Sequence, residues 1–245
     1  MALTDNIQGY WKFDESSGNA SDSTANANTL TNNGTATYVA AKINNGIDLN
    51  GTTQYFSIAD ASQTGLDLTG AFTLAVWINT DVDPSTVNNP IITKNDNTDK
   101  NYAFAIANYG TVPAPDDRLY LSIKSTTLVE MTTTWNPTVG TWYHAAVTYT
   151  ASGTNDVQFY INGAAQGAAI SSGKTVLDTG GAAVEVGEIA HGLWDMWDGK
   201  IDEAGIWSRA LSSSEISELY NGGTGLQYPF TVGSFRSRRM LTGSH

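Results

Sequence analysis

The sequence predicts an all-β fold, a two-sheet sandwich or jelly roll of antiparallel strands. Three observations carry this. Apolar residues alternate with period two along many short segments, which places each apolar set on one face of a sheet. The segments are separated by turns rich in Thr, Asn, Ser and Gly. Charged residues make up only 15% of the 245 residues, a composition typical of strands joined by polar turns.

The clearest alternation sets Leu119, Leu121 and Ile123 against Tyr120, Ser122 and Lys124. A second sets Val157, Phe159 and Ile161 against Gln158, Tyr160 and Asn162. Tyr102, Phe104 and Ile106 alternate with Ala103, Ala105 and Ala107, a large/small pattern suited to a strand covered on both faces. In chain order the pattern predicts strands at 7–13, 29–32, 37–39, 46–49, 54–58, 72–78, 90–94, 102–108, 118–124, 129–134, 142–150, 156–162, 164–166, 184–187 and 197–207. Asn50-Gly51 and Asn162-Gly163 stand between apolar runs as hairpin signals. One helix is predicted after Ser212. That serine and Glu215 form a capping box; Ile216, Leu219 and Tyr220 share a face, and Asn221-Gly222-Gly223 ends it. No internal repeat or linker divides the chain, so residues 1–225 are read as one domain and 226–245 as an extended tail.

Composition excludes several classes. There is no cysteine, hence neither disulfides nor thiolate chemistry. The formal charge is -12, which repels phosphate backbones and argues against nucleic-acid binding. No apolar run approaches the roughly 20 residues of a membrane-spanning helix, so no membrane insertion is expected. MALTDNIQGYW has neither a basic nor an apolar leader region, so no signal peptide is expected. The tail has the opposite sign to the body: without Arg236, Arg238 and Arg239, 9 bases face 24 acids, a net of -15.

Six stretches in order carry a family resemblance: GYWKFDESSGNASDSTANANTLTNNG, GIDLNGTTQYFSI, LDLTGAFTLAVWI, TWYHAAVTY, VQFYINGAA and GKIDEAGIWSRALSSSEISELY. Together, over roughly residues 7–221, they resemble the laminin-G-like modules of the concanavalin A-like lectin/glucanase superfamily. The resemblance implies an antiparallel jelly roll, and it implies a structural calcium at one edge. Asp22, Asn26 and Asn28 of the loop DSTANAN and Asp202 of the strand IDE are the positions it assigns to that ion. Oxygen donors of this kind suit a hard cation. The other reading of Asp22 and its asparagines is Asx-turns. The acidic loop at Asp96 and Asp99 is read as a hairpin tip.

Function is sought in HGLWDMWDGKIDEAGIW, residues 191–207. Trp197, Ile201 and Trp207 read as packing residues. Trp194 falls in a loop beside Asp195 and His191, where an indole stacks on the apolar face of a sugar and a carboxylate accepts its hydroxyls. The competing reading folds Trp194 back on its own loop. Catalysis has little support. The resembled glucanases use carboxylates in a pattern like ExDxxE on one sheet face. Here Glu185 and Glu188 point to opposite faces of a regular strand, and the adjacent Asp202 and Glu203 diverge. His144 reads as a packed or solvent-facing strand residue. The sequence therefore predicts a non-catalytic module that binds a glycan or cell-surface polysaccharide. The alternative is a structural decoration or fibre-type protein of a phage particle, which implies a virion or extracellular surface. The tail either folds back on its own acidic body or, in that alternative, docks on a capsid or other assembly protein through Tyr228, Phe230, Phe235, Arg236, Arg238 and Arg239.

Overall fold

The structure, a computed structural model, describes residues 1–83, 88–96, 98–108, 117–189 and 194–231. It is an antiparallel two-sheet sandwich, as predicted. The eight-stranded sheet has the order β13-β12-β11-β6-β15-β4-β3, with β1 also paired to β15. Its strands are β1 (Ile7–Trp11), β3 (Thr37–Ala40), β4 (Asn45–Asn50), β6 (Phe72–Thr80), β11 (Tyr143–Tyr149), β12 (Val157–Ile161), β13 (Ala164–Ile170) and β15 (Asp198–Trp207). The seven-stranded sheet has the order β10-β9-β8-β7-β14-β5-β2. It is built from β2 (Thr31–Asn33), β5 (Tyr55–Ile58), β7 (Asn89–Asn95), β8 (Lys100–Asn108), β9 (Asp117–Lys124), β10 (Leu128–Thr134) and β14 (Val184–Val186). Every predicted strand has a counterpart within a few residues.

The alternation does what it predicts. Phe104, Ile106, Leu119, Leu121, Val157 and Phe159 all lie in the core between the sheets. Each such side chain contributes about 1.5–3 kcal/mol by leaving water. Asn162-Gly163 forms the β12–β13 hairpin, with both residues at positive φ (51° and 78°) as its tight turn requires. Asn50-Gly51 does not form a hairpin. β4 pairs with β3 and β15, whereas β5 pairs with β2 and β14, so this turn carries the chain from one sheet to the other. Asn50 Oδ1 holds the crossing by accepting from the amides of Thr52 (3.1 Å) and Thr53 (3.0 Å).

A second apolar layer covers the outer face of the eight-stranded sheet. The helix α1 (Ser213–Tyr220) lies there, with Ile216 and Leu219 buried. Ser212 caps it, and the Ser212–Glu215 capping box is complete. Burial opposes the Glu215 charge, but hydrogen bonds from Arg209 and Ser212 hold its carboxyl down at about 2. Asn221 in the left-handed region (φ 49°) ends the helix. No helix among the described residues is long and apolar enough to cross a membrane.

Candidate functional site

The outer face of the seven-stranded sheet has a centre of small residues. Ala103, Ala105 and Ala107 of β8 and Tyr120 of β9 form a buried patch with Ile189, and Trp194 packs on it. The alanines follow from the large/small alternation: the large residues fill the core and the small ones leave room above the sheet. Trp194 meets Tyr120 edge to face, with ring centroids 5.2 Å apart. Tyr120 is buried and its hydroxyl donates to Glu130 of β10 at 2.7 Å. Trp194 is half-buried and Asp195 is exposed. The indole is thus held by a T-shaped contact and remains partly exposed, an arrangement between the two readings of the sequence. His191 lies outside the described residues. Tyr120 and Glu130 escaped the sequence reading because their part depends on which loop crosses above them.

The structure places the four residues assigned to calcium on two elements, the Asp22 loop and β15. A carboxylate offers about four lone-pair sites. Asp22 Oδ1 accepts from the amides of Tyr10 (3.0 Å) and Thr24 (2.8 Å). Its Oδ2 accepts from the Thr24 hydroxyl (2.9 Å) and the Asn28 amide (2.9 Å). All four sites are taken, which realises the Asx-turn reading. Asn26 Nδ2 donates to Gln8 O at 2.9 Å. Asn28, almost fully buried, donates to Gln8 O and Thr64 O at 2.9 Å and accepts from Thr64 N at 2.7 Å. Asp202 is elsewhere: β1 runs between the Asp22 loop and β15, and Asp202 Oδ2 accepts from the Ile43 amide at 2.8 Å. No cluster of three or more His, Cys, Asp or Glu among the described residues is arranged to hold a metal ion. A structural calcium held by Asp22 and Asp202 predicts that excess chelator lowers the melting temperature and that added calcium restores it. Differential scanning calorimetry with elemental analysis checks this, and an unchanged midpoint in chelator with no metal present would overturn it.

A β-bulge decides how Asp202 and Glu203 lie. The register of β15 against β6 shifts between Asp202 and Gly205, and Glu203 has φ 51°. An extra residue reverses the phase of everything after it. Ile201, Ala204 and Ile206 accordingly face the inter-sheet core, while Trp207 turns outward into the second layer. In a regular strand Trp207 would face the same way as Ile201. The adjacent acids do not diverge as expected: both are buried, and the charge of Glu203 raises Asp202. Burial first, then that charge, pushes Asp202 up to about 9. Burial first, then the charge of Asp14, pushes Glu203 up to about 7, against hydrogen bonds from Tyr10 and Gln227. Tyr10 donates to Glu203 Oε2 at 2.5 Å, and Gln227 Nε2 donates to Glu203 Oε1 at 2.6 Å and to Asp14 Oδ2 at 2.8 Å.

Gln227 belongs to the segment read as an extended tail, and for its described residues the docking is on the chain's own body rather than on a partner. Residues 226–231 pack on the chain's own body. Leu226 and Phe230 are buried among Tyr10, Trp207 and Leu3, with Tyr228 packed against the same cluster. Tyr10 sits 5.1 Å from Phe230 edge to face and 5.8 Å from Tyr228. The bulge explains why: it turns Trp207 outward, and an exposed apolar surface results unless another segment covers it. Two residues expected to dock on an assembly partner, Tyr228 and Phe230, are therefore engaged within the chain. Phe235, Arg236, Arg238 and Arg239 lie outside the described residues.

The remaining candidates are structural. His144 is buried between Trp77 (5.3 Å) and Tyr220 (6.5 Å), and burial lowers its pKa to about 3, which keeps the ring neutral. Asp96 Oδ1 accepts from the Thr98 and Asp99 amides, closing the β7–β8 hairpin tip. Trp197 is fully buried in the core, as expected.

The model of the family described as the concanavalin A-like lectin/glucanases superfamily matches residues 50–217. No curated protein matches the sequence. Among solved structures, domain 4 of an extracellular arabinanase from Geobacillus stearothermophilus, in complex with arabinotriose, is 22% identical, with a TM-score of 0.66. The match covers 87% of this chain and 97% of that domain. The binding domain of Paraclostridial mosquitocidal protein 1 is 15% identical with a TM-score of 0.68, over 89% of this chain and 52% of that one. A structure of botulinum neurotoxin type C, whose cell entry depends on interaction with two ganglioside molecules, is 13% identical with a TM-score of 0.66, over 89% of this chain and 51% of that one. The chain thus spans about half the length of these toxin chains. At such identities the likeness establishes the fold alone.

Proposed function

The chain belongs to the concanavalin A-like lectin/glucanases superfamily, and from that premise we propose that it is a non-catalytic module that binds a glycan or cell-surface polysaccharide. One observation carries the proposal: Trp194 stands half-buried on the face of the seven-stranded sheet, braced on Tyr120 and flanked by the exposed Asp195. A braced indole presents an apolar surface to the C–H face of a sugar ring with little ordering cost. A carboxylate beside it accepts hydrogen bonds from the sugar hydroxyls. The arabinotriose complex of the arabinanase domain and the ganglioside dependence of the neurotoxin support a glycan as the class of ligand.

A glycan array followed by titration calorimetry tests the proposal. Trp194→Ala is expected to weaken binding at least tenfold. Because the indole is only half-buried, the same change should lower stability by about 1 kcal/mol. Silence of the full chain across neutral and charged glycans, or an unchanged affinity in the variant, would remove the support for this site.

A further inference from the structure

A cleft of about 480 Å³ opens where the outermost strands β2 and β3 of the two sheets approach the loop at residues 16–19. Its size falls within the range of small-molecule sites, about 300–1,000 Å³. The walls are held by internal hydrogen bonds. The Asn32 amide donates to Gly18 O (3.1 Å) and Ala36 O (2.9 Å) and accepts from Ala36 N (2.8 Å). Asn19 Oδ1 accepts from Asn32 N (3.1 Å), and the Tyr38 hydroxyl donates to Gly18 O (3.0 Å). The cleft is therefore preformed and needs no rearrangement to accept a ligand.

The unused groups define what it accepts. The hydroxyls of Ser16, Ser17 and Thr37 line the cleft and make no hydrogen bond among the described residues. Each offers one donor and two acceptor positions. The lining contains no charged side chain, although the chain carries a net charge of -12. An anion would meet no cationic side chain in the lining, and the nearby Glu15 carboxylate, which acts on the Tyr38 hydroxyl, disfavours it further. The Tyr38 ring, packed edge to face on Phe56 at 6.1 Å, forms an apolar wall. Neutral hydroxyls beside one aromatic face complement a neutral sugar.

We propose that this cleft is a second sugar-binding site, taking one or two residues of a neutral glycan. It rests on the glycan-binding reading for its ligand class but on different residues for its place. Four strand steps separate β8, below Trp194, from β2, about 19 Å at roughly 4.8 Å per step. Two sites so spaced engage one polymer together, and binding both multiplies the apparent affinity without new contacts.

Saturation-transfer NMR on the full chain with arabinose, galactose and glucose tests the proposal. Thr37 and Ser17 are exposed, so Thr37→Trp and Ser17→Tyr fill the cleft without entering the core. Melting curves confirm that each variant folds, and either one suffices if the other does not. The expected result is transfer to at least one sugar that persists in Trp194→Ala and disappears in the cleft-filling variants. For a polymer containing that sugar, filling the cleft should weaken binding tenfold or more. Transfer that survives cleft filling, transfer lost in Trp194→Ala, or no transfer to any of the three sugars overturns the cleft as a separate site. Binding at Trp194 that survives such a failure leaves the preceding proposal standing.

Discussion

A chain ending at Gly225 should melt at least 10 °C below one ending at residue 231, or fail to fold soluble. The segment between these ends holds Leu226 and Phe230, both buried, and Gln227, which bridges Asp14 and Glu203. Removing it uncovers Tyr10 and Trp207, now 2% and 0% exposed. Truncating one buried Phe typically costs about 3–5 kcal/mol. At about 2–4 °C per kcal/mol for a domain of this size, that loss alone lowers the midpoint by on the order of 10 °C. The loss of the Gln227 donor adds to it by leaving an acid pair buried with fewer partners. Thermal unfolding of the two chains by circular dichroism decides the matter. Midpoints within about 2 °C of each other would show that residues 226–231 are peripheral and free to dock elsewhere.

Stability should fall as pH rises from about 5 to about 8, and Glu203→Gln should flatten that fall. The native Glu203 carboxyl is raised to about 7 from its ordinary 4.5. The folded state therefore holds this proton more tightly than the unfolded state does. The associated stability is complete below about 4.5 and is lost as pH climbs through 7. One pKa unit corresponds to about 1.4 kcal/mol, so charging Glu203 in place removes on the order of 3 kcal/mol. Asp202, raised further, extends the decline to higher pH. Glu215 has the opposite sign: its carboxyl is held near 2, so its contribution is lost only as pH drops below 4.5. Stability should therefore peak near pH 5.

The Glu203→Gln variant keeps every partner satisfied. Gln227 donates to the introduced carbonyl, the introduced amide donates to the Tyr10 hydroxyl, and that hydroxyl turns to Leu226 O, now 3.4 Å away. At pH 8 the variant should exceed the parent by roughly 5–10 °C in melting temperature, and at pH 4.5 the two should agree. General self-repulsion in a chain of net charge -12 predicts a decline in the same direction. Asp195→Asn removes one exposed charge and separates the two causes. Equal flattening by both variants would show repulsion rather than the buried carboxyl.

What the sequence by itself determined is what depends on local periodicity. Alternation along 102–108 and 118–124 identified β8 and β9 and the sides that fill the core. Ser212 and Glu215 determined the start of α1 and Asn221 its end, because capping joins residues three apart. Six ordered stretches determined the superfamily. Tertiary structure decided what depends on partners distant in the chain. Asn50-Gly51 has the chemistry of a hairpin, but whether the next strand joins the same sheet is set by β2 and β14. Asp22 and Asp202 have the chemistry for an ion, but only the fold sets β1 between them and gives Asp22 its four donors. The bulge at Glu203 reverses the faces of β15, and that reversal brings Tyr228 and Phe230 home to cover Trp207. Period-two patterning assigns side chains to faces only while the register is unbroken. One inserted residue, invisible to local pattern, therefore decided both the burial of the acid pair and the fate of the segment that follows the helix.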